Sequence, residues 1–322
     1  MSLIKGLHHI TALTSDAQKN LDFYSGILGL RFVKRTVNFD APDVYHLYYG
    51  DESGSPGTVL TFFPFPGIRR GRKGNSQATV ITFSVNENAL DYWMKRLRMF
   101  GVSFSSPQHR FGEIYIHFED FDGLSLEIAG VPDDERTGYV NGNIPAGFEL
   151  KGFHCIQLNE DNYNNTASFL TDQMNHTLIA EDNNRFRFSS EKGAGYVDIL
   201  FKPGESYGVN GSGSIHHIAF ATDDYGSQHK FRDVLLNHGA VSPTDVIDRQ
   251  YFKSVYFREP GGILFEVATK IPGFTIDEPL EHLGEKLMLP VWEEKNRSRI
   301  EGSLPELTID NSIFRDVQAQ FR

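Results

Sequence analysis

Leu7-His8-His9-Ile10-Thr11 and Ile215-His216-His217-Ile218-Ala219 are one phrase written twice, and the second is followed by Ile263-Leu264-Phe265-Glu266-Val267. Apolar residues bracket both histidine pairs in the manner of buried strands. Two imidazoles and one carboxylate hold a divalent metal at three positions and leave the others open. These three stretches therefore carry most of the chemistry legible in the chain.

Outward from the repeated strand, one pattern occurs four times: an apolar strand, an amphipathic helix, then a run of strands closing on an apolar stretch. Unit one runs from Gly6 to about Pro66, with the helix-start cluster Thr14-Ser15-Asp16 ahead of Ala17, Leu21, Tyr24 and Leu28 on one helical face. Unit two runs from about Asn75 to Gly130 and closes on Leu124-Ser125-Leu126-Glu127-Ile128. Unit three spans Gly152 to about Pro203 and closes on Tyr196-Val197-Asp198-Ile199-Leu200-Phe201; unit four spans Gly213 to Thr269. The pattern predicts an α+β fold of four βαβββ modules, with 6–130 as a first pair and 152–270 as a second. Residues 131–151 read as a polar Gly/Pro-containing linker and 271–322 as a charged tail, part helix and part loop.

The 322 residues carry 42 Asp+Glu against 31 Lys+Arg, a net charge of −11, which speaks against nucleic acid or an anionic membrane surface as partner. No apolar run reaches the ~18 residues of a membrane span and no apolar leader precedes the first strand, so a cytoplasmic protein is expected. Cys155, the sole cysteine, fits a reducing compartment and reads as an inert core thiol. The 26 Phe and 13 Tyr residues suit a pocket for a ring-shaped ligand, and they suit β-rich cores equally well.

A βαβββ unit present four times resembles the vicinal oxygen chelate superfamily, which includes glyoxalase I, antibiotic-resistance binding proteins and extradiol dioxygenases. Four units in one chain are most similar to the last group. The resemblance covers about residues 6–270 and implies that units pair, the curved strands of each pair making an open β-barrel cup able to hold a metal. The scaffold alone names no reaction, because it hosts several.

Strand register selects the units that share the metal cup. Side chains alternate faces along a strand, so His8 and His9 point apart, as do His216 and His217. His217, Ala219 and Ala221 share one face and Ile218 and Phe220 the other, which makes the second histidine of each pair the inward one. Alignment of the four first strands puts His154 in register with His8 and His216, Cys155 with His9, and only Ala78 or Thr79 at the inward place of unit two. Units one and four are thus expected to share the metal cup. There Glu266, an acid among core apolars, is costly to bury without a partner. The cup of units two and three is expected to hold Glu127 and Asp198 and no metal.

Val59-Leu60-Thr61-Phe62-Phe63, the unit-one counterpart of the Glu266 strand, has no carboxylate. Glyoxalase I resembles the epimerase of the same superfamily in using two carboxylates, one from each paired unit, to shuttle a proton next to a metal-bound oxygen. Two histidines, one carboxylate and open positions are instead the arrangement with which non-haem Fe(II) engages a phenolate and dioxygen together. Phe32-Val33-Lys34-Arg35-Thr36, Tyr45-His46-Leu47-Tyr48-Tyr49, Gly71-Arg72-Lys73-Gly74, Asp248-Arg249-Gln250-Tyr251-Phe252 and Pro260-Gly261-Gly262 look like the hydroquinone ring-cleaving dioxygenases. That resemblance implies His8, Thr11, His216, Arg249 and Tyr256 as substrate-contacting or supporting groups around His9, His217 and Glu266. Tyr256 could hydrogen-bond a phenolate, and Arg249 could offset its charge. By alternation His8 and His216 face away from the metal, which fits buried imidazoles bonded to backbone as well as a catalytic role. His46 is a candidate pocket liner, Arg69-Arg70-Gly71-Arg72-Lys73 a solvated loop, and Gly261-Gly262 a hairpin turn.

The expected activity is an Fe(II)-dependent ring-cleaving dioxygenase that takes a small aromatic diol and O2. Mn, Zn or Ni are further metals its ligands accept, and a homo-oligomer is left open. Two other readings stand beside it: a metal-dependent glyoxalase-like lyase or isomerase on the same ligands, and a non-enzymatic resistance protein whose aromatic cavity sequesters a small molecule.

Overall fold

Leu7–Thr14 (β1) is buried along its whole length and leads to Asp16, whose side chain accepts from the Lys19 N–H and starts the helix Ala17–Leu21 (α1). The helix widens into a π turn over Asp22–Ile27 and gives way at Gly29, φ +70°, a left-handed conformation that glycine adopts at little cost. Arg31–Asn38 (β2), Ala41–Gly50 (β3) and Val59–Pro64 (β4) complete the first module. The second comprises Gln77–Val85 (β5), Leu90–Met99 (α2), Gln108–Arg110 (β6), Glu113–Glu119 (β7) and Ser125–Gly130 (β8). The third comprises Gly152–Glu160 (β9), Tyr163–Asp172 (α3), Thr177–Asp182 (β10), Arg185–Ser189 (β11) and Tyr196–Phe201 (β12). Ser214–Thr222 (β13), Tyr225–His238 (α4), Ile247–Asp248 (β14), Phe252–Arg258 (β15) and Leu264–Pro272 (β16) form the fourth. This computed structural model describes residues 2–140, 142–191, 195–239 and 241–315, so 316–322 of the tail lie outside the described residues.

The strands build two eight-stranded sheets, ordered β14-β15-β16-β13-β1-β4-β3-β2 and β10-β11-β12-β9-β5-β8-β7-β6. Modules one and four share the first sheet, modules two and three the second. Each sheet is joined at its centre by antiparallel first strands, β1 with β13 and β5 with β9, while within a module the first strand runs parallel to the last. Strand twist curls each sheet into an open cup, giving the α+β architecture of paired βαβββ modules. Arg96 of α2, fully buried, donates to the Gly26 and Ile27 carbonyls of the π turn and so ties the first helix to the second module.

Both central strand pairs carry two bulges. Between Leu7↔Phe220 and His9↔Ala219 strand β1 gains a residue, His8; between Thr11↔His217 and Ala12↔Ile215 strand β13 gains His216. The corresponding extra residues of the second sheet are Thr79 and His154. A bulge re-aims the side chains around it, so strict alternation fails at the histidine pairs themselves. Strand pairing also corrects the unit-two alignment. Thr82 opposes Glu127 as Ala219 opposes Glu266, which puts Val80, rather than Ala78 or Thr79, at the register of His217.

The second cup is filled by an ionic network. Arg110 reaches Glu127 at 2.6 Å and lies 3.7 Å from Asp198, which Arg187 also binds at 2.8 Å. Its Cys155 thiol is pushed far up by burial and then by the Asp198 charge, and stays a neutral core group.

After β16 the chain follows the edge of β2. Leu287 bridges Arg35, the Met288 N–H donates to the Arg35 carbonyl at 2.9 Å, and Leu289 and Ile300 cover Val37. The tail thereby closes an otherwise open sheet edge. At the tip of the β2–β3 hairpin Phe39 meets Trp292 of the tail edge-on, ring centroids 5.5 Å apart. The basic run at 69–73 pairs with the connection between modules three and four through Arg70↔Ser212 and Arg72↔Val209, while Arg70 itself remains exposed.

Glu160 ends β9 with its carboxyl packed on Gly261 in the turn before β16, and its Oε1 has no hydrogen-bond partner among the described residues. Burial, then the charges of Glu259 and Asp161, push its pKa up from 4.5 to about 8. An acid whose folded pKa is raised favours folding least once the unfolded chain has ionised, so stability falls as pH rises from 4.5 through about 8. Glu160→Gln removes that slope. The variant should melt higher than the parent near pH ~9 and show no such gain near pH ~4.5, and equal melting differences at the two pH values would refute the assignment.

Candidate metal centre

β1, β13 and β16 are neighbours in the first sheet, and each sends one side chain to a common point. His9 Nε2 lies 3.3 Å from His217 Nε2 and 3.3 Å from Glu266 Oε2, and His217 Nε2 lies 3.0 Å from the same oxygen. All three residues are buried, and among the described residues they are the group able to hold a metal ion. Ser254 of β15 donates to Glu266 Oε1, which leaves Oε2, buried and without a hydrogen-bond partner of proper geometry, aimed at the imidazoles.

The histidine pairs engage the Nδ1 atoms and leave each Nε2 toward the cluster. His8 Nδ1 stands 2.9 Å from His9 Nδ1, and His216 Nδ1 stands 2.8 Å from His217 Nδ1. Burial, then the neighbouring His9, lowers His8 to about 3; burial, then His217, lowers His216 to about 4, so both are neutral. His8 also bonds the Thr269 backbone. With Nδ1–H of His9 and His217 donated to these partners, each Nε2 presents a lone pair. Three lone-pair atoms facing one another repel unless a cation lies between them. Donors about 2.1 Å from one ion, at octahedral or tetrahedral angles, sit roughly 3.0–3.4 Å apart, so the spacing fits a shared divalent metal. Burial alone would raise the Glu266 carboxyl; positive charge on His9 and His217 would outweigh it and hold the group well below the usual carboxylate range, and where the imidazoles present lone pairs a metal ion supplies that charge instead.

The cluster opens on a cavity of about 590 Å³. His9, His217, His216, Arg249 and Tyr256 line it, together with apolar Leu13, Phe63, Phe65, Phe252 and Leu264. Arg249 Nε lies 3.3 Å from the Tyr256 hydroxyl, and its Nη2 pairs with Asp40 of the hairpin tip at 3.0 Å. Burial, then Glu266, pushes the Tyr256 phenol far up, so it stays protonated. Thr11 is fully buried, opposite His217 in register, and bonds Thr61 at 2.9 Å. His8 lies behind His9, against Phe252, rather than in the cavity.

Alternation put His8 and His216 away from the site; the two bulges bring both onto the cluster, and His216 into the cavity wall. Ser254, Asp40 and the pair His46 and Tyr48 were not singled out as functional groups, although His46 was a candidate liner. The spacing of Ser254 and Tyr256 on one face of β15, beside the Glu266 strand, was the available signal for the first.

A duplicated βαβββ fold with two imidazoles and a carboxylate beside an apolar cavity defines a class of small-molecule proteins built around a metal-competent cup. The chain belongs to the glyoxalase/bleomycin resistance protein/dioxygenase superfamily, whose model matches residues 6–128 and 152–267. It is 42% identical to the "Putative ring-cleaving dioxygenase MhqO" of Bacillus subtilis over 93% of this chain and 96% of that one. It is 33% identical to the "Chlorohydroquinone/hydroquinone 1,2-dioxygenase" of Sphingobium indicum over 88% and 91% of the two chains. A Bacillus subtilis crystal structure described as a "putative dioxygenase" superposes with a TM-score of 0.92 at 40% identity, covering 96% of this chain and 99% of the other. Among the described residues no helix is long and apolar enough to cross a membrane.

Proposed function

We propose that the chain is an Fe(II)-dependent ring-cleaving dioxygenase acting on a hydroquinone-type diol, with His9, His217 and Glu266 holding the metal. The observation that carries this reading is the convergence of three buried donor atoms, at distances suited to one ion, on the wall of an apolar cavity. The names of the relatives point to the same substrate class. When bound, the metal lowers the cost of ionising a phenol and mediates electron flow between ring and dioxygen.

The chain's own groups bind and orient. Tyr256, held protonated, donates a hydrogen bond to the substrate oxygen nearest the cluster, and Arg249 offsets the charge that develops there. His8 and His216 fix the tautomers of His9 and His217, and neutral His216, in the cavity wall, offers the substrate a hydrogen bond. Thr11 braces the floor through Thr61. The Phe and Leu walls exclude water from the reacting ring. Residues 6–130 and 152–270 remain the proposed domains and 271–322 the tail, whose Trp292 meets Phe39 of the cavity wall.

A lyase or isomerase of the two-carboxylate type is disfavoured by one position. The symmetry that maps His216 onto His8 maps Glu266 onto Thr61, a neutral hydroxyl that cannot act as the second acid or base. Purification without oxygen should return iron at about one ion per chain, and the protein should consume dioxygen with hydroquinones. Zinc or nickel without oxygen uptake on any para-diol would overturn the proposal. So would tight ligand binding with neither metal nor turnover.

A further inference from the structure

We infer that His46 and Tyr48 form a second polar anchor, which binds the ring hydroxyl remote from the imidazole–carboxylate cluster and so selects para- over ortho-diols. The inference rests on reading the cavity as a diol site. The two residues alternate along β3 and both line the cavity. Strand register sets a single row across four strands: Tyr48 opposes Thr61, Thr61 opposes Thr11, and Thr11 opposes His217. Tyr48 thus stands two strands beyond β1, whereas Tyr256 directly opposes Glu266 on the other side of the cluster.

Hydrogen bonds follow that row. The Tyr48 hydroxyl lies 2.8 Å from His46 Nδ1, His46 Nε2 lies 2.8 Å from Thr61 Oγ1, and Thr61 Oγ1 lies 2.9 Å from Thr11 Oγ1. Every hydroxyl in the string can donate or accept, and the imidazole carries its one proton on either nitrogen. The string can therefore point either way. In one sense Tyr48 gives its proton to His46 and offers a lone pair to the cavity; in the other it accepts from His46 and offers its O–H. A ring hydroxyl, itself donor and acceptor, is matched by either state.

His46 is held between Phe63 and Tyr48, ring centroids 4.3 and 4.0 Å away, so its plane is set before a ligand arrives. Burial, then the nearby His9 and His217, keeps its imidazole neutral, and burial keeps the Tyr48 phenol protonated. The cavity thus has polar groups on two sides of the cluster; the rest of its wall is apolar side chains together with polar Asn38, Asp40, Asn210 and Thr244, of which Asp40 is already paired with Arg249. An ortho-diol places both oxygens at the cluster and leaves Tyr48 facing carbon. A para-diol held by one oxygen at the cluster directs its other oxygen away from it, toward the far anchor.

The test measures binding by calorimetry on the anaerobically purified, metal-containing protein, with hydroquinone, catechol and phenol as ligands. In the parent, hydroquinone should bind about tenfold more tightly than phenol. Tyr48→Phe should bring that ratio close to one while leaving phenol affinity and metal content intact, and His46→Ala should lower it in the same direction. Tyr256→Phe should weaken both ligands alike and keep the ratio. A ratio near one in the parent overturns the anchor without recourse to any variant, as does catechol binding as well as hydroquinone. So does a Tyr48→Phe protein that keeps the ratio, or a Tyr256→Phe protein that loses it. Selective hydroquinone binding without oxygen consumption would overturn the dioxygenase reading and leave the anchor standing; no binding of either ligand overturns both.

Discussion

Glu266→Ala is expected to yield a folded protein that keeps no metal and consumes no dioxygen with hydroquinones. The carboxylate is fully buried, with one oxygen fixed by Ser254 and the other aimed at His9 and His217. Four-ligand zinc sites bind with about 10–16 kcal/mol, so one ligand is worth on the order of 2.5–4 kcal/mol, or a ~10²–10³-fold loss of metal affinity. Loss of the acid also leaves two imidazole lone pairs facing each other with no negative charge to attract a cation. Glu266→Gln is the sharper variant: it keeps the shape and the Ser254 contact but removes the charge, and should fold like the parent while losing most of its metal. His9→Ala should behave as Glu266→Ala does. Metal analysis, circular dichroism and oxygen uptake on the three proteins decide the matter. Stoichiometric iron with full activity in any of them would refute the ligand assignment.

The fourfold repeat was readable because each module needs the same local devices. Asp16, Asn86, Asn162 and Asp224 each accept from a backbone N–H at a helix start, and first strands of continuous apolar character follow from burial on both faces. The convergence of His9, His217 and Glu266 was readable because duplicated strands impose one register on distant parts of the chain. What alternation could not deliver was the place of His8 and His216. A bulge exists only between two paired strands, and neither strand alone encodes it. The unit-two register, in which Val80 stands for His217, likewise shows only in the pairing of the first strand with the closing strand that carries Glu127. Tyr48 and Asp40 were hidden for a related reason. Their roles depend on the curl that brings β3 and its hairpin tip over strands far away in the sheet order, toward Arg249 and the cluster.

The two cups show how one scaffold accommodates charge in two ways. Glu127 occupies in the second sheet the register of Glu266 in the first, and each carboxylate has a hydroxyl beside it, Thr82 for one and Ser254 for the other. Where the inward neighbours are His9 and His217 the acid keeps an oxygen free. Where they are Cys155 and Val80, Arg110 supplies the cation covalently and bonds Glu127 through two nitrogens. A guanidinium fills the space that an ion would need, and it ties β6 to β8 and β12 while doing so.

Lys34→Met is expected to destabilise the protein by about 3–5 kcal/mol, because it strands two acids in the interior. The Lys34 ammonium, fully buried on β2, lies 2.6 Å from Asp277 Oδ1 and 2.6 Å from Glu278 Oε2. Asp277 Oδ2 in turn accepts from the Tyr251 hydroxyl at 2.9 Å and from the Gln250 amide at 2.7 Å, while the Glu278 carboxylate accepts from the Gly284 and Lys286 backbones. One cation therefore joins the sheet edge, the tail and the loop that carries Arg249. Its removal should lower Tm by roughly 5–10 °C and also raise KM for the diol, since Asp277, which accepts from Gln250 and Tyr251 next to Arg249, loses the cation that holds it in place. The triple variant Lys34→Met, Asp277→Asn, Glu278→Gln separates charge from packing. It removes the stranded charges while keeping most hydrogen bonds, and should recover a large part of the lost Tm. A Lys34→Met protein that melts with the parent, or a triple variant no more stable than the single, would mean that the tail is held by its apolar contacts at Leu289 and Ile300 and that the buried ions contribute little.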